Sequence, residues 1–166
     1  YQNIITSANQ LLVQEKIQPE IRREALFSIA NAYLKQNNTP AALDWFSKVA
    51  VEVNSREGAE SKFRVAELTY LQGDKKRAEE VIYEYIDMNT PHAYWMGKSF
   101  LLLAEIFQSS GDDFQALQTL QSLIDYYTED NDGIKTTAVE MKKAITDRLN
   151  EKEKSAVQDT LEIGVK

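Results

Sequence analysis

The chain has 166 residues, 43% hydrophobic and 27% charged, with a formal net charge of −7 and a pI near 4.8. That length supports one domain with a sizeable core, and the acidic balance makes a phosphate backbone a poor partner. With no cysteine, disulfides and thiolate chemistry are excluded while the compartment stays open, and no apolar run approaches the ~18 residues of a membrane span.

Eight helices and no strands are predicted. The first spans about 3–16, with Ile4, Ile5, Ala8, Leu11 and Leu12 on its buried side. The second, about 19–36, opens on Pro19, where a missing N–H costs nothing, and ends at Asn37-Asn38. Thr39-Pro40, a capping hydroxyl followed by proline, starts the third at about 40–53. Ser55 caps a fourth over about 56–72, and Gly73-Asp74 separates it from a fifth over about 75–88. Thr90-Pro91 repeats the cap-and-proline device for a sixth, about 91–109, and Gly111-Asp112-Asp113 starts a seventh, about 113–128. A polar loop leads to an eighth over about 134–152, and the weakly amphipathic segment 154–166 is expected to fray. Because the chain opens on Tyr1 in what reads as the second half of a hairpin, a piece of a longer protein is expected.

These helices fall into hairpins that repeat. Ala42/Phe46, Ala78/Ile82 and Ala116/Leu120 each set a small residue four before a large apolar one, at steps of 36 and 38 residues. Stepping back 34 residues from Ala42 reaches Ala8, followed by Leu12. A second small-residue series, Ala30, Ala66 and Ala104, runs in phase. A self-similar period in the mid-thirties marks a helical solenoid. Small residues facing large ones let two helices of a pair approach to the short end of the usual 8–10 Å range.

The segment Ile29-Ala30-Asn31-Ala32-Tyr33-Leu34-Lys35 and the turns Leu71-Gln72-Gly73-Asp74 and Ser110-Gly111-Asp112 resemble the tetratricopeptide repeat (TPR) family. The likeness covers about residues 3–130. It departs from the family at the signature tryptophan place, held by Leu26, Lys62 and Phe100, and in the position of Pro91. It implies an all-α, right-handed α-α superhelix over 1–153: a half repeat at 1–18, repeats at about 23–56, 59–92 and 97–130, and a capping helix at 134–152. His92-Ala93-Tyr94-Trp95 leading into Phe100–Glu105 is also similar to large bacterial periplasmic or outer-membrane-associated TPR proteins. The expectation of a cell-envelope location rests on that likeness alone.

In this family the first helix of each repeat lines a concave groove. The places that the resemblance assigns to it are Glu24, Phe27, Asn31, Leu34 and Lys35; Glu60, Phe63, Glu67, Tyr70 and Leu71; and Lys98, Leu101, Glu105, Gln108 and Ser109. Phe27, Phe63 and Leu101 share one repeat position and should form an apolar row, flanked by Asn31, Glu67 and Glu105. Such a row suits a peptide, with anchors giving affinity and polar groups fixing register. The family's carboxylate clamp is not expected, because Phe27 and Leu102 stand where a lysine and an arginine should.

Catalytic chemistry lacks parts. His92 is the only histidine, too few for a His-based zinc site, and its place in a first helical turn suits a surface residue better than a base. Glu67 and Glu105 occupy equivalent places on neighbouring helices, on the order of 10 Å apart, at or beyond the wide end of an inverting glycosidase pair. The glycines are scattered, with no phosphate-cradling loop. Trp45 and Trp95 read as packing residues. The expectation is a non-enzymatic scaffold for a protein or peptide partner, with no cofactor, metal or nucleic acid. Self-association through the first helix, a spacer role in a longer solenoid and, remotely, a carboxylate-based hydrolase are the alternatives.

Overall fold

A computed structural model describes residues 1–163. Among these residues it contains eight helices: α1 (Gln2–Leu12), α2 (Pro19–Lys35), α3 (Thr39–Val49), α4 (Arg56–Leu71), α5 (Lys75–Asp87), α6 (Ala93–Ser109), α7 (Asp113–Tyr126) and α8 (Ile134–Ile163).

The turn inside each hairpin is one device used three times. Asn37, Gly73 and Gly111 adopt positive φ, a conformation open to glycine and tolerated by asparagine. The next residue's N–H reaches back to close the helix: Asn38 to Tyr33 O at 3.0 Å, Asp74 to Thr69 O at 3.3 Å and Asp112 to Phe107 O at 2.9 Å. The side chains of Asn38, Asp74 and Asp112 then accept from the N–H of Ala41, Arg77 and Gln115, capping the second helix. Spacing is therefore enforced by residues that both end one helix and begin the next.

Some boundaries differ from those read in the sequence. The cap of α3 is Asn38, and Thr39 is already helical. Helix α6 starts at Ala93 behind His92, because the Thr90 hydroxyl donates to Val53 O at 2.7 Å and accepts from the His92 N–H at 3.2 Å. That ties Thr90-Pro91 to the α3–α4 connection instead of the helix. Helix α1 stops at Leu12, four residues short of its expected end. Helix α8 continues past the expected stop near 152, through residues 154–163 of the segment expected to fray. Residues 150–156 are exposed, and the Glu, Lys and Ala run there has high intrinsic helix propensity. Residues 164–166 lie outside the described residues.

Packing follows the repeat. Ala42, Ala78 and Ala116 are each fully buried, as are their partners Phe46, Ile82 and Leu120. Ala42 and Phe46 meet Ala30 and Leu68; Ala78 and Ile82 meet Ala66 and Leu102; Ala116 and Leu120 meet Ala104 and Ala138. Each seam thus joins a hairpin's two helices to the first helix of the next, with α8 standing in that place after α7. The first-type helices touch in succession, α2 with α4, α4 with α6 and α6 with α8, whereas no two of α3, α5 and α7 touch. A stack whose members are closer on one side bends toward that side, so α2, α4, α6 and α8 form the inside of the curve.

At the signature tryptophan place of the middle repeat, Lys62 keeps its stem in the hairpin seam and carries its ammonium to Glu84 of α5 at 2.7 Å. The hydrogen bond from Lys62 is the main reason the Glu84 carboxyl titrates below its ordinary range.

Candidate binding surface

The inner side chains fall into two groups. Glu24, Lys35, Leu71, Glu105 and Ser109 are exposed, Leu71 at 70%, while Phe27, Asn31, Leu34, Glu60, Glu67, Tyr70, Lys98 and Gln108 are half-buried. Asn31 spends one amide N–H on Phe27 O at 3.0 Å. Around Phe27, Asn31 and Lys35, together with Tyr1 and Ile4, lies a hollow of about 250 Å³. Those three candidates are thereby brought together around one hollow.

The apolar row does not form as expected. Phe63 is only 3% exposed and Leu101 9%. Phe63 stacks on Trp95, ring centroids 5.6 Å apart. Leu101 is buried with Ile134 and Ala138 of α8, so the capping helix takes the face that a peptide would have used. Phe27 packs edge-on against Phe46 at 5.9 Å and keeps part of its surface open. Two of the three expected anchors therefore serve the fold, and the accessible apolar groups of the middle stretch are Tyr70 and Leu71.

Arg64 is the residue that the sequence reading missed. Its guanidinium pairs with Glu67 at 2.7 Å and Glu60 at 3.6 Å, both on α4. It also lies over the rings of Phe63 (5.7 Å) and Trp95 (5.8 Å). Lys98 from α6 places its ammonium 5.5 Å from the Phe63 ring. Arg64, paired with two carboxylates and lying over both rings, and Lys98, over the Phe63 ring, make a polar floor in mid-groove. The spacing Glu60, Arg64, Glu67 carried the signal, since residues three and four apart share a helix face. Burial raises the Glu60 carboxyl above its ordinary range, with Arg64 and Arg56 pulling the other way.

The remaining singled-out residues have structural partners. His92 caps α6 and sets its ring Nε2 3.1 Å from Asn54 O, tying the α5–α6 loop to the α3–α4 loop. Trp45 is half-buried under the Lys48 ammonium, 3.8 Å from the ring centroid, and Trp95 is half-buried against Phe63 and Tyr94. Glu67 is engaged by Arg64, while Glu105 stands exposed on α6. Among the described residues no group of three or more His, Cys, Asp or Glu is placed to hold a metal ion, and no helix is long and apolar enough to cross a membrane.

Comparison with known proteins agrees with this geometry. The family profile described as tetratricopeptide repeat matches residues 94–129, the third hairpin. The crystal structure of MamA superposes with a TM-score of 0.57 at 16% sequence identity, covering 90% of this chain and 89% of that one. At that identity the likeness is one of fold. No curated protein matches the sequence. Residues 94–129 thus match the tetratricopeptide repeat profile, and the chain as a whole shares the fold of MamA.

Proposed function

We propose that the chain is a non-catalytic protein-interaction scaffold that holds a peptide or protein segment against the inner faces of α2, α4 and α6. The observation that carries this reading is the inner surface itself: a face whose polar floor is the Glu60–Arg64–Glu67 ion-pair cluster and whose accessible apolar groups are Tyr70 and Leu71. Charged groups already paired before a ligand arrives lower the ordering cost of binding, and aromatic and aliphatic anchors beside them give both affinity and register. Lys35, Glu105 and Gln108 extend the surface toward its two ends.

A displayed random-peptide library selected on the chain provides the probe. Binding of the enriched peptides is expected to fall by roughly tenfold or more in Tyr70→Ala, and to weaken also in Glu67→Ala, with the thermal midpoint nearly unchanged. Enriched peptides that ignore both substitutions, or a loss of more than ~2 kcal/mol of stability in both variants, would remove the inner face from consideration. Association with a cell envelope rests on the weaker family likeness alone, and cell fractionation tests it.

A further inference from the structure

The third hairpin departs from the other two at the start of its first helix. Its Tyr94 and Trp95 stand at the places held by Arg56 and Glu57 on α4 and by Glu20 and Ile21 on α2. Glu57 is there spent on the bridge to Arg23. On α6 an aromatic corner replaces the charges: the Tyr94 and Trp95 rings lie 5.0 Å apart at 74°. Trp95 is backed by Phe63, and Tyr94 is 41% exposed.

The α7–α8 connection brings carboxylates to this corner. Glu129 and Asp132 line one hollow of about 560 Å³ with Tyr94, Trp95, His92 and Arg56. Asp132 is held in place, accepting from the Tyr127 hydroxyl and, at 3.0 Å, from the Ile134 N–H. Burial first, and that hydrogen bond second, hold the Tyr127 phenol above its ordinary range, so the phenol stays the donor and Asp132 keeps its negative charge. Glu129 is exposed and has no ion-pair partner among the described residues. His92 has its ring Nε2 at Asn54 O. Arg56 is the only permanent cation lining the hollow. Its charge acts on Glu60 of its own helix, and among the described residues it pairs with neither carboxylate.

Two carboxylates against one guanidinium leave the hollow negative, on a chain of net charge −7. Aromatic rings beside carboxylates attract cations, the rings through their quadrupole and the carboxylates through charge-assisted hydrogen bonds. A planar guanidinium satisfies both at once, stacking on a ring while its edge meets a carboxylate, whereas an ammonium acts as a point charge.

We propose that this hollow receives an arginine side chain of the partner segment, with the guanidinium against Tyr94 and Trp95 and paired with Glu129. The inference rests on the inner-face reading and gives its partner a chemistry. Trp95 belongs to both surfaces, since Arg64 of the mid-groove floor lies over its ring. The partner is therefore a basic segment that runs from mid-groove to the start of α6.

The test uses the whole chain and arginine blocked at both ends, as the N-acetyl N-methylamide, with the same derivative of citrulline as its uncharged counterpart. Ring resonances of Tyr94 and Trp95 are followed by NMR, with Trp45 as internal reference. Saturable shifts at Tyr94 and Trp95, with a Kd on the order of millimolar, are expected for arginine and not for citrulline. Glu129→Gln and Tyr94→Ala alter exposed side chains, and each should weaken binding by about two- to fivefold. Arg56→Ala, which removes the competing cation, should strengthen it. In peptides selected on the chain, replacing one arginine by citrulline should be non-additive with Glu129→Gln. The proposal is overturned by equal shifts from the two probes, by arginine shifts that ignore both weakening substitutions, or by acetate binding in its place that Arg56→Ala abolishes. A concentration-dependent dimer dissolved by Glu129→Gln also overturns it, by making a second copy the occupant. Tyr70→Ala should leave the arginine shifts unchanged. Selected peptides that ignore Tyr70→Ala and Glu67→Ala sink the inner-face reading alone, while peptides that need Tyr70 but ignore Glu129→Gln sink the arginine site alone.

Discussion

Gly58→Ala is expected to destabilise the chain by on the order of 3 kcal/mol, combining a lost helix cap with overpacking. Gly58 is buried in the first turn of α4, with its N–H donating to the Ser55 hydroxyl oxygen at 3.0 Å. Ser55 is held in turn by Glu52: its N–H and its hydroxyl both donate to the Glu52 carbonyl, at 2.8 and 2.7 Å. A Cβ on residue 58 would stand 2.0 Å from that carbonyl oxygen and 2.4 Å from its carbon. Backbone must move, because the two nearest atoms belong to the main chain. The α3–α4 connection would open, and with it the Arg23 bridges to Glu52 (2.9 Å) and Glu57 (3.2 Å) that clamp α2 onto this corner. Gly73→Ala serves as the control. That residue sits at positive φ with nothing within 4 Å of a new Cβ, so it should lose only about 1 kcal/mol, the conformational term. Urea unfolding of the two variants separates steric from conformational demand.

Phe46→Ala should cost about 3–5 kcal/mol, the usual range for emptying a buried aromatic site. Phe46 is fully buried where α2, α3 and α4 meet, beside Ala30, Ala42 and Leu68. Alanines already line the site, so the neighbours have little side chain with which to refill the cavity. In a stack where each hairpin contacts only its neighbours, the loss is local before it is global. Hydrogen exchange should therefore rise first in α1–α3 while α6–α8 keep most of their protection. Leu12→Ala removes the equivalent residue from a half-open place and should cost less.

Much of this fold was legible because the repeat is written in residues whose role is local. The Asn37, Gly73 and Gly111 turns and the Asn38, Asp74 and Asp112 caps are determined within five residues of themselves. The alanine series gave the seams because a small residue at a fixed step has few other reasons to recur. The groove was harder to read. Its residues are defined by what lies over them, and that depends on elements distant in sequence: Leu101 is covered by α8, and Phe63 by Trp95 from the next hairpin. Arg64 escaped notice because a charged residue between two glutamates reads as a solvated helix face, while its buried Nε and its place over two rings appear only when α6 is laid beside α4. The end of α8 was misjudged for the opposite reason. Weak amphipathicity predicts weak packing, but not the end of a helix built from good helix formers.

The central claim is that the helices curve with α2, α4 and α6 on the inside. The chain has no cysteine, so spin labels attach only where one is introduced. Lys35 and Ser109 are exposed equivalents on α2 and α6, and Asp44 and Gln118 are exposed equivalents on α3 and α7, each pair 74 residues apart. Pulsed electron double resonance on the two pairs should give a shorter distance for 35–109 than for 44–118. Equal distances, or a shorter 44–118 distance, would contradict the curved stack and the inner surface built on it.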